Sequence, residues 1–371
     1  MTSKYAELNP PARLLLGPGP SMVHPLVLRA LSTPLVGHLD PQFIVLMNEV
    51  QDLLRMVFEA PDALAIPVSG TGSAAMEASL CNFIEEADPV LVCVNGYFSE
   101  RIIDMATRYR ADVHRIDVPW GEVFSPKQVD EALKAKPAKI VAIVQAETST
   151  GALQPLAEIA EVVHRHGALF LVDAVTSLGG IPVRMQETGI DICYSCSQKC
   201  LSAPPGLGPL AMGQRAVEVL KNRESKVASW YLDMTLVLKY WGPERTYHHT
   251  APISMNFALR EALRLVQEEG LPARFERHRR NAEMLWEGLA ELDLKPHVPL
   301  GHRLPTLTTV TVPEGVDELG VRKALLDDYG IEIAGGLGAF KGKIWRIGLM
   351  GYSSRPENVV TLLGAMERIL R

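Results

Sequence analysis

The sequence predicts an α/β protein with a largely parallel seven-stranded sheet in a large first domain and a smaller α+β domain after it. Three observations carry this. Apolar, β-rich runs alternate with helical periods through the first two-thirds of the chain. Several of those runs are almost continuously apolar, as strands covered on both faces require. Near Ser254 the texture changes, and long amphipathic helical patterns mix with shorter strands.

The seven strands are read at ALAIPVS (63–69), VLVCVN (90–95), DVHRIDV (112–118), KIVAIVQ (139–145), ALFLVDA (168–174), DICYSC (191–196) and GPLAMG (208–213). Helical stretches lie between them, such as TGSAAMEASLCNFIEE (71–86) and PLAEIAEVVHRHG (155–167). An irregular loop joins the last two strands, so the seventh is a candidate for antiparallel pairing. Beyond Ser254, FALREALRLVQEEG and ARFERHRRNAEMLWEGLAELD form two long amphipathic helices, with a continuous helix expected to bridge the domains. LTTVTVP, IEIAGG and IWRIGLM supply strands, and VDELGVRKALLDDYG and PENVVTLLGAMERILR supply helices, to the second domain. The predicted boundaries are an N-terminal arm at 1–20, a large domain at 21–271 and a small domain at 272–371.

The 371 residues are 47% hydrophobic and 22% charged, with a formal net charge of −6, enough apolar content for a large buried core. The basic residues are dispersed, so neither nucleic acid nor an anionic membrane is an expected partner. No apolar run approaches the roughly 18–20 residues that span a bilayer. Pro and Gly break the opening MTSKYAELNPPARLLLGPGP before it could serve as a signal peptide. The odd count of five cysteines argues against a secreted disulfide framework, and a reducing, cytoplasmic setting is expected.

In an open parallel sheet, ligands bind at the carboxyl ends of the strands. After ALAIPVS comes SGTGSAAMEA (69–78), small residues at the mouth of a helix, where free N–H groups and the dipole favour an anion. Thr71 and Ser73 can add hydroxyls. GTGSAA also fits a dinucleotide fingerprint, but the next strand ends on Asn95 rather than on the acid that would hold a ribose. ALFLVDA ends on Asp173, an acid that is costly there unless a cation or donor faces it. Lys199 follows 26 residues later among small and apolar neighbours, a setting that desolvates an amine and favours its nucleophilic form. Amine, carboxylate and phosphate cup on one rim are the three requirements of pyridoxal 5'-phosphate. The neighbouring Cys193 and Cys196 face opposite sides of a strand and lack further ligands nearby, so they are read as packing residues. His248 and His249 are expected to point apart rather than to hold a metal.

These motifs resemble the fold-type-I, class V pyridoxal-phosphate aminotransferases, above all the alanine–glyoxylate and serine–pyruvate group. The resemblance runs through LLLGPGPS (14–21), SGTGSAAMEA, AETSTGALQPL (146–156), LVDAVTSLGGIPV (171–183), YSCSQKCLSAPPG (194–206), WYLD (230–233), YHHTAPIS (247–254) and WRIGLMGYSSRPENV (345–359). It implies that Lys199 carries the coenzyme covalently and that Asp173 faces the ring nitrogen. It implies Phe98 on the ring face, Thr148 on the ring 3-oxygen, and Thr71, Gly72, Ser73 and Gln198 around the phosphate. Tyr247 and Thr250 resemble residues that reach the phosphate of a partner subunit, which implies a homodimer. Arg346 resembles the arginine that grips the substrate carboxylate, and Gly19 falls in the substrate-binding GPGP turn. The implied activity moves an amino group from alanine or serine to glyoxylate by ping-pong kinetics, with amino acids and 2-oxo acids as partners. RFERHR (274–279) and GKIWRIGLMGYSSRPENV (342–359) also resemble the ureidoglycine–glyoxylate enzymes, where Asn is expected in place of Tyr247. A desulfurase is disfavoured because no cysteine follows Cys200.

Overall fold

The computed structural model describes residues 5–371, so residues 1–4 of the expected arm lie outside the described residues. Seven strands form the main sheet: β1 (Leu64–Ser69), β2 (Pro89–Val94), β3 (Asp112–Asp117), β4 (Ile140–Val144), β5 (Leu169–Asp173), β6 (Ile192–Tyr194) and β7 (Leu207–Met212). Their spatial order is β1-β7-β6-β5-β4-β2-β3. Strand β7 runs antiparallel to both of its neighbours, β1 and β6, and every other pairing is parallel.

The continuous apolar runs are explained by burial on both faces. In β4, Val141 and Ile143 enter one core while Ile140, Ala142 and Val144 enter the other. In β2, Leu91 and Cys93 part in the same way from Val90, Val92 and Val94. Only the edge strand β3 mixes half-buried and exposed residues, and its Arg115 bonds Glu100 across to the adjoining helix. A charged edge of this kind discourages pairing with another sheet.

Helix Gly72–Cys81 is shorter than the 71–86 reading. Asn82 ends it by donating to the Leu232 carbonyl and accepting from the Met234 N–H, both at 2.8 Å, tertiary bonds that outcompete another helical turn. The expected bridging helix is likewise interrupted. Helices Ile253–Glu269 and Leu271–Glu291 meet at Gly270, whose φ of 81° leaves the helical region, and Pro272 lacks the N–H that would carry the ladder through.

A third core gathers Trp345, Ile347, Leu325, Val359 and Leu285. Strands Leu307–Thr311, Ile344–Gly348 and Ala334–Gly335 form its antiparallel sheet, with Ile344–Gly348 in the centre. Leu14–Leu15 pairs in parallel with Ile331–Glu332, and Leu16 is buried in this same core. The N-terminal segment thereby leads out of the C-terminal core straight onto the main sheet's rim, where Ser21 N–H bonds the Gln198 carbonyl.

Candidate active site

Asp173 is the last residue of β5 and stands beside Tyr194 of β6 in parallel register. Neighbours in register project to the same face. The Tyr194 hydroxyl accordingly donates to Asp173 Oδ2 at 2.7 Å, and the Val175 N–H donates to Oδ1 at 2.8 Å. Burial pushes the Asp173 carboxyl up to about 6, against the pull of those two donors and of the Lys199 and Arg101 charges. A carboxylate so placed gains from a cationic or N–H partner.

The loop after β6 closes on itself and carries Lys199. Ser197 Oγ donates to the Pro204 carbonyl at 2.6 Å, and the Lys199 carbonyl accepts from Ser21 Oγ at 2.7 Å. The Lys199 ammonium donates to the Pro18 carbonyl of the N-terminal GPGP turn. Gly19, at φ 110°, lies directly against the lysine: a Cβ there would sit 2.6 Å from Nζ. Burial is the main cause that depresses the lysine's pKa; Arg346 adds to it, and Asp173 works against it.

Thr71 caps helix Gly72–Cys81 without spending its hydroxyl on the cap. The first N–H groups of a helix lack partners within it, so hydroxyl and amides are together available to an anion. Gly72 is required by space: a Cβ on it would sit 2.7 Å from Cys196 Cβ. Gln198 Oε1 is buried with no hydrogen-bond partner.

Phe98 sits at the start of helix Tyr97–Arg108, and its N–H donates to Glu147 Oε2 at 3.2 Å. Glu147 Oε1 also accepts from the Ser149 N–H at 3.0 Å and from Ser149 Oγ at 2.7 Å. Burial raises this carboxyl to about 7, against those bonds. Thr148, next in the chain, shares a 2.6 Å bond with the Thr176 hydroxyl. Arg346 lies on the central strand of the small sheet; Trp345 and Ile347 enter the third core, and it takes the opposite face. Its guanidinium donates to the carbonyls of Gly335 at 2.7 Å and of Thr148 at 3.5 Å, and desolvation lowers its pKa to about 10.

A cavity of about 150 Å³ joins these pieces and is lined by seven of the residues expected from sequence: Thr71, Gly72, Ser73, Phe98, Asp173, Gln198 and Lys199. Gly19 meets it only through the lysine, and Thr148 and Arg346 are not part of its lining. Tyr247 and Thr250 are exposed and do not line it; the Tyr247 ring packs 5.2 Å from His38. Sequence reasoning missed Met76, Arg101 and Val175 in the lining and the supports Tyr194 and Glu147. Arg101 follows Phe98 by three residues on a helix, a spacing that shares a face and could have pointed to it. Cys196, read as packing, also lines the cavity, but burial pushes its thiol up to about 11 and keeps it protonated. A larger cavity of about 310 Å³ near Val27 and Tyr352 has its Glu269 already paired to Arg274 and Arg277.

The two histidines do not point apart. His248 Nδ1 and His249 Nδ1 are 2.8 Å from one another, because Trp230 stacks on the His248 ring and Ser69 Oγ holds His249 Nε2. Among the described residues, no three His, Cys, Asp or Glu side chains group as a metal site.

A family model described as aminotransferase class-V matches residues 27–357. The crystal structure of an alanine–glyoxylate aminotransferase from Nostoc sp. superposes with a TM-score of 0.98 at 53% identity, over 100% of this chain and 98% of that one. The (S)-ureidoglycine–glyoxylate transaminase of Bacillus subtilis is 41% identical over 98% of this chain and 92% of its own. The alanine–glyoxylate aminotransferase of Mus musculus is 40% identical over 98% and 89%.

Proposed function

We propose that this chain, which belongs to the class-V aminotransferase family, uses pyridoxal 5'-phosphate to move an amino group from alanine or serine to glyoxylate. The observation that carries the reading is the cavity that brings a half-buried amine, a buried carboxylate and a helix N-terminus to one place.

The residues fit the coenzyme. Gln198 Oε1 is an orphaned buried polar atom, Thr71 has a hydroxyl to offer, and Asp173 is a buried acid that a protonated ring nitrogen would stabilise. Lys199 would hold the coenzyme, Phe98 would cover a ring face, and Thr71, Gly72, Ser73 and Gln198 would receive the phosphate. When bound, pyridoxal phosphate supplies an aldehyde that condenses with amines and a ring that accepts the electron pair of an adjacent carbon.

The chain's own residues supply the rest. Asp173 would hold the proton on the ring nitrogen, and Tyr194 and the Val175 N–H keep Asp173 ionised and aimed. Lys199 Nζ, whose pKa burial lowers, would take the proton from the donor's α-carbon and hand it on to the aldehyde-derived carbon of the coenzyme. Arg346 fixes the substrate carboxylate as a fork, which selects the Cα–H bond for cleavage. The GPGP turn closes over the lysine and limits the room beside it, which suits a small donor.

The homology to a ureidoglycine–glyoxylate enzyme at 41% identity supports a second reading, with ureidoglycine as donor. Tyr247 disfavours it, since an aromatic ring offers no amide partner to a ureido group. Exposed Tyr247, Thr250, Trp230 and Tyr231 support a homodimer in which one subunit completes its partner's phosphate site. Five buried, unpaired cysteines support a reducing compartment, the cytoplasm. The test is a panel of alanine, serine and ureidoglycine with glyoxylate as acceptor. Turnover with alanine or serine, with parallel lines in double-reciprocal plots, supports the reading. Turnover with ureidoglycine alone replaces it by the second.

A further inference from the structure

The cavity holds one cation that the function so far leaves idle. Arg101 projects into it from helix Tyr97–Arg108, one turn beyond Phe98. Its Nη1 donates to Ser73 Oγ at 3.4 Å, and its guanidinium lies 4.9 Å from the centre of the Phe98 ring. Nearly every other arginine on this domain's helices pairs with a carboxylate: Arg55 with Asp52, Arg108 with Asp104, Arg260 with Glu49. Arg101 bonds only a hydroxyl at the mouth of helix Gly72–Cys81.

Charge balance then decides what faces it. A phosphate monoester carries close to two negative charges at neutral pH. A helix N-terminus offsets about half a charge. The lining adds another negative group, Asp173, and its other cation, Lys199, is discouraged from holding a proton by burial. A dianion in this space therefore requires a further positive group, and a guanidinium matches phosphate geometry better than any other side chain.

We propose that Arg101 is the phosphate-neutralising cation of this site, acting with the Ser73 hydroxyl to which it is bonded. This rests on the coenzyme reading above and extends it to a residue that none of the motifs assigned. The cation–π contact with Phe98 has a consistent role: it holds the guanidinium between the ring wall and the phosphate end, so one helix furnishes both.

The test compares two probes on the full-length protein by absorbance titration: pyridoxal 5'-phosphate, and pyridoxal, which lacks the phosphate. Arg101→Gln should weaken the phosphorylated probe roughly 10-fold to 100-fold, the range for a charge-assisted bond, and leave pyridoxal within about twofold. Arg101→Lys, which retains the charge without the fork, should fall between. Inorganic phosphate should compete with pyridoxal 5'-phosphate in wild type and less well in Arg101→Gln. Equal weakening of both probes, or no change in either, overturns the inference. Should Arg101→Gln fail to fold by circular dichroism, the Arg101→Lys comparison decides by the same criterion. Failure of the wild type to bind pyridoxal 5'-phosphate would sink the coenzyme reading instead.

Discussion

The Tyr194 hydroxyl donates to Asp173 Oδ2 at 2.7 Å, and both groups are buried. Adjacent parallel strands in register bring them together, so the sheet itself holds the carboxylate ionised and oriented. Tyr194→Phe removes that donor and should raise the Asp173 pKa above about 6. The acid limb of coenzyme binding, followed by absorbance against pH, should then shift to higher pH. Affinity at neutral pH should drop about 10-fold, as for loss of one bond to a charged acceptor. An unshifted limb would mean that Tyr194 does not support Asp173.

Gly19→Ala tests the closeness of the GPGP turn to the lysine. The new Cβ would stand 2.6 Å from Nζ at a backbone φ of 110° that side chains avoid. Folding should persist, because Leu16 and the 14–15 pairing anchor the segment elsewhere. Coenzyme occupancy should fall about 10-fold or more, since displacing a buried side chain costs on the order of 1–3 kcal/mol. Wild-type occupancy would show that the lysine simply moves aside.

Arg346→Lys should act on substrate rather than on coenzyme. A lysine keeps a charge but loses the fork, so KM for the amino donor should rise roughly 10-fold to 100-fold, with a smaller change in kcat. An unchanged KM would remove Arg346 from the substrate site.

Glu147→Gln isolates a buried charge. The Glu147 carboxyl is raised from 4.5 to about 7, so its contribution to stability is full below pH 4.5 and is lost as pH climbs through 7. Against the glutamine variant, coenzyme-free wild type should therefore lose stability between these limits, by on the order of 3 kcal/mol at full ionisation. Denaturant midpoints across that range provide the slope. The offset between the two proteins is separate, since the new amide would face the Phe98 N–H donor to donor. A flat difference against pH would show that Glu147 ionises as an ordinary carboxylate.

Much of this site is legible in the chain because the chemistry sits where apolar runs stop. Asp173 ends four apolar strand residues, and Lys199 sits just beyond the next strand with small neighbours on both sides. Those signals are local. Tyr194 and Glu147 are not local: their roles depend on strand register and on a loop folding back from 147 to 98. Arg101 needed the phase of a helix that opens just after Asn95. The same limit explains the helix that ends early. Asn82 ends its helix through bonds to residues 232 and 234, which no window around 82 contains. By contrast, Gly270 and Pro272 announced the break between the two long helices in the sequence itself.

The central claim is that the amine of Lys199 takes the coenzyme covalently. Borohydride treatment of the protein with pyridoxal 5'-phosphate, followed by digestion and peptide mass spectrometry, tests it most directly. The account predicts one stoichiometric pyridoxyl group, on Lys199, absent from Lys199→Ala, with turnover of that variant reduced by about three orders of magnitude or more. A group fixed on another lysine, or a Lys199→Ala protein that still turns over at the wild-type rate, would contradict it.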